Sequence, residues 1–148
     1  MGISPLPWLA QEMLSPSIQE RVSFMQYDFF SPQPLRGVAA FYIRQCVHNW
    51  SGEDSIRIFG ASMPGFEGSK PGTPLLINDT AMPEPGTLPV PEEGMLRQID
   101  ILVMIGLGTK QRIKAEFEVL LKQADPRHDV NNTFADGHWG VIEVHLQQ

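Results

Sequence analysis

The run Phe41-Tyr-Ile-Arg-Gln-Cys-Val-His-Asn-Trp-Ser-Gly-Glu-Asp54 does most to limit how this chain can fold. Val38–Val47 is almost continuously apolar, as expected of a strand covered on both faces. Ser51 then offers a helix N-cap, and Asp54, three residues on, completes a capping-box pattern. Ile56, Phe59 and Met63 follow at helical spacing. Leu75-Leu-Ile-Asn-Asp79 is a further buried run, separated from the helix by a Gly/Pro-rich loop read as Pro64 to Pro74. His48 therefore stands at the carboxyl end of a strand, where open α/β sheets place their ligands and their chemistry.

The other segments extend the α/β pattern. Arg21–Tyr27 reads as a short strand ending at the turn Asp28-Phe-Phe-Ser-Pro. Pro91, Glu92 and Glu93 start a helix, since proline tolerates the first turn and carboxylates favour the positive end of the dipole. That helix is apolar almost all round through Met104, so it is expected to be buried, with Gly106 and Gly108 ending it. Thr109 is the expected cap of the next helix, which carries Ile113, Phe117, Leu120 and Leu121 on one stripe. Glu118 and Lys122 should pair there, and Asp125-Pro126 should stop it. Ile142, Val144 and Leu146 alternate with Val141, Glu143 and His145 as a strand. His128–Phe134 is its expected partner across an Asp136-Gly137 turn.

Charge and composition remove several functional classes. At 148 residues the chain suits one domain with a sizeable core. The net charge of −6, with scattered Lys and Arg, offers no basic face for nucleic acid. The longest apolar stretch, near Ile99–Leu107, is broken by Asp100 and too short to span a bilayer. The opening Met-Gly-Ile-Ser-Pro-Leu has neither a secretory pattern nor the Ser or Thr of a myristoylation signal. The single Cys46 cannot form an internal disulfide, so a cytoplasmic location is expected. Cys46, His128, His138 and His145 show no metal-ligand spacing and read as structural.

Three blocks carry a family likeness: Arg21-Val-Ser-Phe-Met-Gln-Tyr-Asp-Phe-Phe-Ser-Pro-Gln-Pro, then Arg44 with His48-Asn-Trp, then Leu76-Ile-Asn-Asp-Thr-Ala-Met-Pro-Glu-Pro-Gly. In order and spacing the chain resembles the fungal branch of the S-adenosylmethionine-dependent O-methyltransferases of plant and fungal secondary metabolism, from about Ser17 onward. The resemblance implies part of a Rossmann-like class I methyltransferase sheet, S-adenosylmethionine as cofactor, and a small aromatic or phenolic acceptor, polyketide-type in the first instance. It also implies roles. His48 would be the general base and Asp79 its orienting partner. Asp28 and Phe29 would contact the adenine, and Arg44 would contact the cofactor. The apolar helix Met95–Met104 matches the acceptor-pocket helix.

Each role has a plain structural alternative. A strand-end His48 can simply bond backbone, Asp79 can make a turn, and Asp28 can make an Asx-type turn before Pro32. The chemistry of the base is coherent nonetheless. A phenol ionises near ~10 and an ordinary imidazole near ~6.5, so complete prior deprotonation costs roughly 5 kcal/mol. A nearby sulfonium, a placed carboxylate and in-line alignment of the reactants narrow that gap.

The chain also departs from the family pattern. Asp79 stands where the family usually has Glu and reaches about one methylene less. Gln111, in Thr109-Lys-Gln-Arg-Ile, replaces a second carboxylate; drift at an exposed helix start explains it equally well. No Gly-rich turn or first strand precedes Ser17, so we expect a truncated catalytic domain over 1–148 with a divergent segment at 1–16. Missing central strands would leave unpaired edges that favour a homo-oligomer or a partner chain completing the sheet. The competing reading is a non-catalytic remnant or partner subunit, with a pericyclase or isomerase on the same scaffold as a third.

Overall fold

The computed structural model describes residues 12–136 and 139–147. Its elements are α1 (Pro16–Gln19), β1 (Phe41–Arg44), a 3-10 turn (Val47–Asn49), α2 (Gly52–Glu67), β2 (Leu75–Asp79), β3 (Ala81–Met82), α3 (Val90–Leu107), β4 (Arg112–Ile113), α4 (Lys114–Ala124), β5 (His128–Asp136) and β6 (Trp139–Leu146).

A four-stranded sheet runs in the order β1-β2-β6-β5. β1 and β2 are parallel, joined by the α2 crossover, with Phe41 opposite Leu75 and Arg44 opposite Asn78. β6 lies antiparallel to β2, and β5 antiparallel to β6, with a register shift between Val130 and Asn132. This is the expected α/β class. Helices α2 and α4 pack together and cover a core of Phe41, Val47, Phe59, Phe66, Leu75, Ile77, Phe117, Leu121, Ile142 and Val144. Every second residue of β2 is buried, at Leu75, Ile77 and Asp79, so its last inward position carries a carboxylate.

α2 starts as its sequence indicates: the Asp54 N–H donates to Ser51 Oγ at 3.0 Å. It then runs past Pro64, where the expected loop begins, to Glu67. Proline gives up its own N–H bond and crowds the carbonyl one turn back, a cost confined to that turn. The Pro64 carbonyl still accepts from the Gly68 N–H at 3.2 Å, so one further turn closes. Gly65 permits the close approach of α2 to β1: a Cβ there would meet Phe41 Cζ at 2.7 Å.

Several other expectations are corrected. Arg21–Tyr27 forms no strand, and Val22, Phe24 and Met25 are exposed. A strand needs a ladder, and β1 is paired with β2 alone among the described residues. β1 itself is four residues, shorter than the apolar run that contains it. α3 is not buried: Leu96 is its one buried residue, while Leu102 is 68% and Ile105 75% exposed. An apolar helix is buried only where a second element covers it, and no described element covers this face. α3 ends at Leu107, with Gly108 at φ 69° as the left-handed terminator, and Gly106 remains inside it.

Thr109 does not cap α4. The cap is the Glu116 carboxylate, which accepts from the Ile113 N–H at 3.1 Å. Glu118 pairs with Lys114 at 3.4 Å rather than with Lys122, which turns to Asp129. The β5–β6 hairpin forms as expected. Most of the segment 1–16, Gly137 of the expected turn, and His138 lie outside the described residues.

Candidate active site

Parallel pairing brings the carboxyl ends of β1 and β2 to one rim. Beyond β1 the chain reverses through Gln45, a non-glycine residue at φ 48°, whose N–H donates to the Asn78 carbonyl at 2.9 Å. The 3-10 turn Val47–Asn49 follows and carries His48 over the end of β2. Asp79 is 2% exposed. Its carboxylate accepts the backbone N–H of His48 at 3.2 Å and that of Thr80 at 2.9 Å. It also meets His48 Nδ1 at 2.5 Å. An ionised carboxylate only accepts, so the proton of a neutral ring sits on Nδ1. Nε2 then holds a lone pair with no partner among the described residues, and the side chain is 17% exposed. The structure thus joins the two residues the sequence singles out as base and orienting acid.

The remaining candidates lie nearby in a different arrangement. Phe29 and Arg44 both border a cleft of about 300 Å³, with Tyr27, Phe41, Tyr42 and Cys46 among its other walls. Asp28 is not in that lining. Its carboxylate accepts from the Phe30 N–H at 3.0 Å and from Ser31 Oγ at 3.4 Å, which is the Asx-type turn that the sequence also allows. Phe29 lies 5.0 Å from Phe30 with the rings tilted by 41° and meets Trp50 edge-on at 5.5 Å. Arg44 is exposed at the end of β1. Burial raises the pKa of the Cys46 thiol, and Asp79 adds to that rise, against a hydrogen bond with Trp50.

Three residues of the segment 109–112 have positions that the sequence does not disclose. Arg112 is 4% exposed; its Nη1 donates to the Val47 carbonyl at 2.9 Å and its Nη2 to the Trp50 carbonyl at 2.8 Å. Thr109 Oγ1 donates to the same Trp50 carbonyl at 2.9 Å. Burial pulls the Arg112 pKa down, with Glu116 and Asp79 opposing. Gln111 is 5% exposed, not at an exposed helix start, and its N–H donates to Asp100 Oδ1 at 2.7 Å. Its own Oε1 is buried without a partner among the described residues. The available signal was an arginine followed by an apolar residue at the foot of an amphipathic helix, which by itself reads as surface.

No protein-family model matches the chain. Among curated proteins it is 54% identical over 129 residues to O-methyltransferase sol2 of Alternaria solani, covering 87% of this chain and 30% of that protein. It is 37% identical over 128 residues to O-methyltransferase pyvH of Aspergillus violaceofuscus, covering 85% of this chain and 29% of the relative. The chain therefore spans about 30% of the length of the curated relatives it matches. Among solved structures, LepI in complex with SAM superposes with a TM-score of 0.77 at 22% identity, covering 99% of this chain and 35% of the other. The mitomycin 7-O-methyltransferase MmcR superposes at 0.76 and 23% identity, covering 97% and 40%. These likenesses show the fold: a partial Rossmann-like sheet of the class I methyltransferase type.

Proposed function

We propose that this chain, a homologue of one segment of the fungal O-methyltransferases, carries the proton-accepting part of a site that methylates a phenolic hydroxyl. The observation that supports this reading is the contact of His48 Nδ1 with Asp79 at 2.5 Å, which leaves Nε2 as an exposed acceptor. In this reading an acceptor phenol donates its O–H to His48 Nε2. As the oxygen is alkylated its proton passes to that nitrogen, and Asp79 steadies the resulting imidazolium without itself taking the proton.

S-adenosylmethionine is the cofactor of this reading, and when bound it supplies an electrophilic methyl group. The cleft of about 300 Å³ fits a planar heteroaromatic group, because its wall is aromatic and Arg44 adds a cation at its border. Phe29 and Arg44 would hold the cofactor there. Asp28 would act from the adjoining turn, after trading one of its internal hydrogen bonds. A small aromatic acceptor and cytoplasmic work belong to the same reading; the lone Cys46 supports the latter.

The test is transfer of a labelled methyl group from S-adenosylmethionine to phenols by the parent chain and by His48→Ala. Transfer that survives unchanged in the variant refutes the assignment of the base.

A second reading is favoured by particular features. Gln111 is neutral where the family resemblance implies a carboxylate, and one edge of β1 is unpaired among the described residues. On that reading the chain works as a subunit of a pair, or as a non-catalytic partner, and alone binds the cofactor weakly. Calorimetric titration with S-adenosylmethionine decides between the two. Micromolar or tighter affinity of the chain alone removes the need for a partner.

A further inference from the structure

Arg112 is a buried cation with no carboxylate within ion-pair distance among the described residues. Taking a guanidinium out of water is costly unless its donors are well used. Its two terminal nitrogens are used on carbonyls that bracket His48: Val47 on one side and Trp50 on the other. A 3-10 segment of three residues is weak by itself. Its own bonds are Asn49 N–H to the Cys46 carbonyl at 3.0 Å and Trp50 N–H to the Val47 carbonyl at 3.2 Å. A planar fork that bonds both ends fixes the distance between those carbonyls, and with it the pitch of the turn.

The mounting of Arg112 matters equally. β4 pairs with β3 in parallel, Arg112 opposite Ala81, and Ala81 is two residues beyond Asp79. The guanidinium that grips the His48 backbone is therefore mounted against the strand that follows, two residues on, from the carboxylate that grips its ring.

We propose that Arg112 is a positioning residue for His48: its guanidinium locks the 3-10 turn so that Nδ1 stays on Asp79 and Nε2 faces outward. The consequence for proton acceptance rests on the reading of His48 as the base; the locking itself does not.

The experiment is nitrogen-15 NMR of the His48 ring in the parent, Arg112→Lys and Arg112→Met, with thermal melts of each. The parent should show one Nδ1–H tautomer and a slowly exchanging Nδ1 proton. Arg112→Met should give mixed tautomers and exchange about tenfold faster or more, as expected for loss of bonds from a charged donor. Arg112→Lys, which keeps one donor group, should fall between. Leu121→Ala, a core truncation 1% exposed, should lower the melting temperature while leaving the ring signature in place. A single protected tautomer in a folded Arg112→Met overturns the proposal. If neither arginine variant folds, the parent and Thr109→Val decide: one protected tautomer in both, with the Arg112 fork still on the Val47 and Trp50 carbonyls, upholds it, and mixed tautomers in either overturn it. Inactivity of the parent with an intact ring signature would count against the proposed function and not against this role.

Discussion

Replacing Asp79 by Asn keeps its shape but removes one acceptor, and the geometry shows where the loss falls. Asp79 Oδ1 faces His48 Nδ1 at 2.5 Å and the Thr80 N–H at 2.9 Å, while Oδ2 faces the His48 N–H at 3.2 Å. If the Asn oxygen takes the Oδ1 place, its amide N–H₂ points at the His48 N–H, donor against donor. If it takes the Oδ2 place, the N–H₂ opposes the Thr80 N–H and can be accommodated at Nδ1 only by moving the ring proton to Nε2. The first arrangement is the cheaper one, because it strains the longest of the contacts. An unsatisfied buried donor costs about 2 kcal/mol, and losing the charge from the remaining bonds adds about 1 kcal/mol. Asp79→Asn should therefore lower the unfolding free energy by about 3 kcal/mol, a large part of the roughly 5–15 kcal/mol of an ordinary domain. Urea unfolding followed by far-ultraviolet circular dichroism reads this as a lower midpoint at unchanged slope. A loss below about 0.5 kcal/mol would mean that the carboxylate does not hold these three donors.

Other perturbations separate the remaining parts of the account. Gly65→Ala should destabilise by about 1–2 kcal/mol in the same assay, since a Cβ meets Phe41 at 2.7 Å and overpacking outweighs the gain in helix propensity. Gln111→Met should be neutral or stabilise by about 1 kcal/mol, because it removes a buried Oε1 that has no partner among the described residues. His128, 1% exposed with Nδ1 bonded to the Leu121 carbonyl at 3.0 Å, has its pKa lowered chiefly by burial. The unfolded chain then binds a proton below about 6.5 that the folded chain still refuses, so its stability contribution is whole above that pH and is lost as pH falls toward the folded value. Midpoints of unfolding at neutral and mildly acidic pH should show a steeper fall in the parent than in His128→Gln.

The elements easiest to read from the sequence were those whose signal is local. Leu75–Asp79 emerged at its true bounds because Pro74 precedes an apolar run that Asp79 and Thr80 end. Ser51 marked the start of α2, whereas Pro64 suggested an early end; one missing N–H does not outweigh a core face containing Phe59, Met63 and Phe66. The burial of α3 was not legible, since composition records that Leu102 and Ile105 are apolar but not whether anything covers them. The same limit applied to Arg21–Tyr27, whose strand-like residues need an edge to pair with. At the site, the family resemblance paired His48 with Asp79 in advance, although His48 lies in the 3-10 turn beyond β1 and does not end the strand itself. Arg112 could not be placed that way. Beside Lys110 it resembles a surface cation, and only the fold brings it under Val47 and Trp50.

The most direct trial is the metabolite profile of the producing cell when the coding sequence carries His48→Ala. The account predicts that a phenolic methyl ether disappears and the free phenol accumulates, with the chain still present at its usual level. An unchanged profile at that level would contradict it.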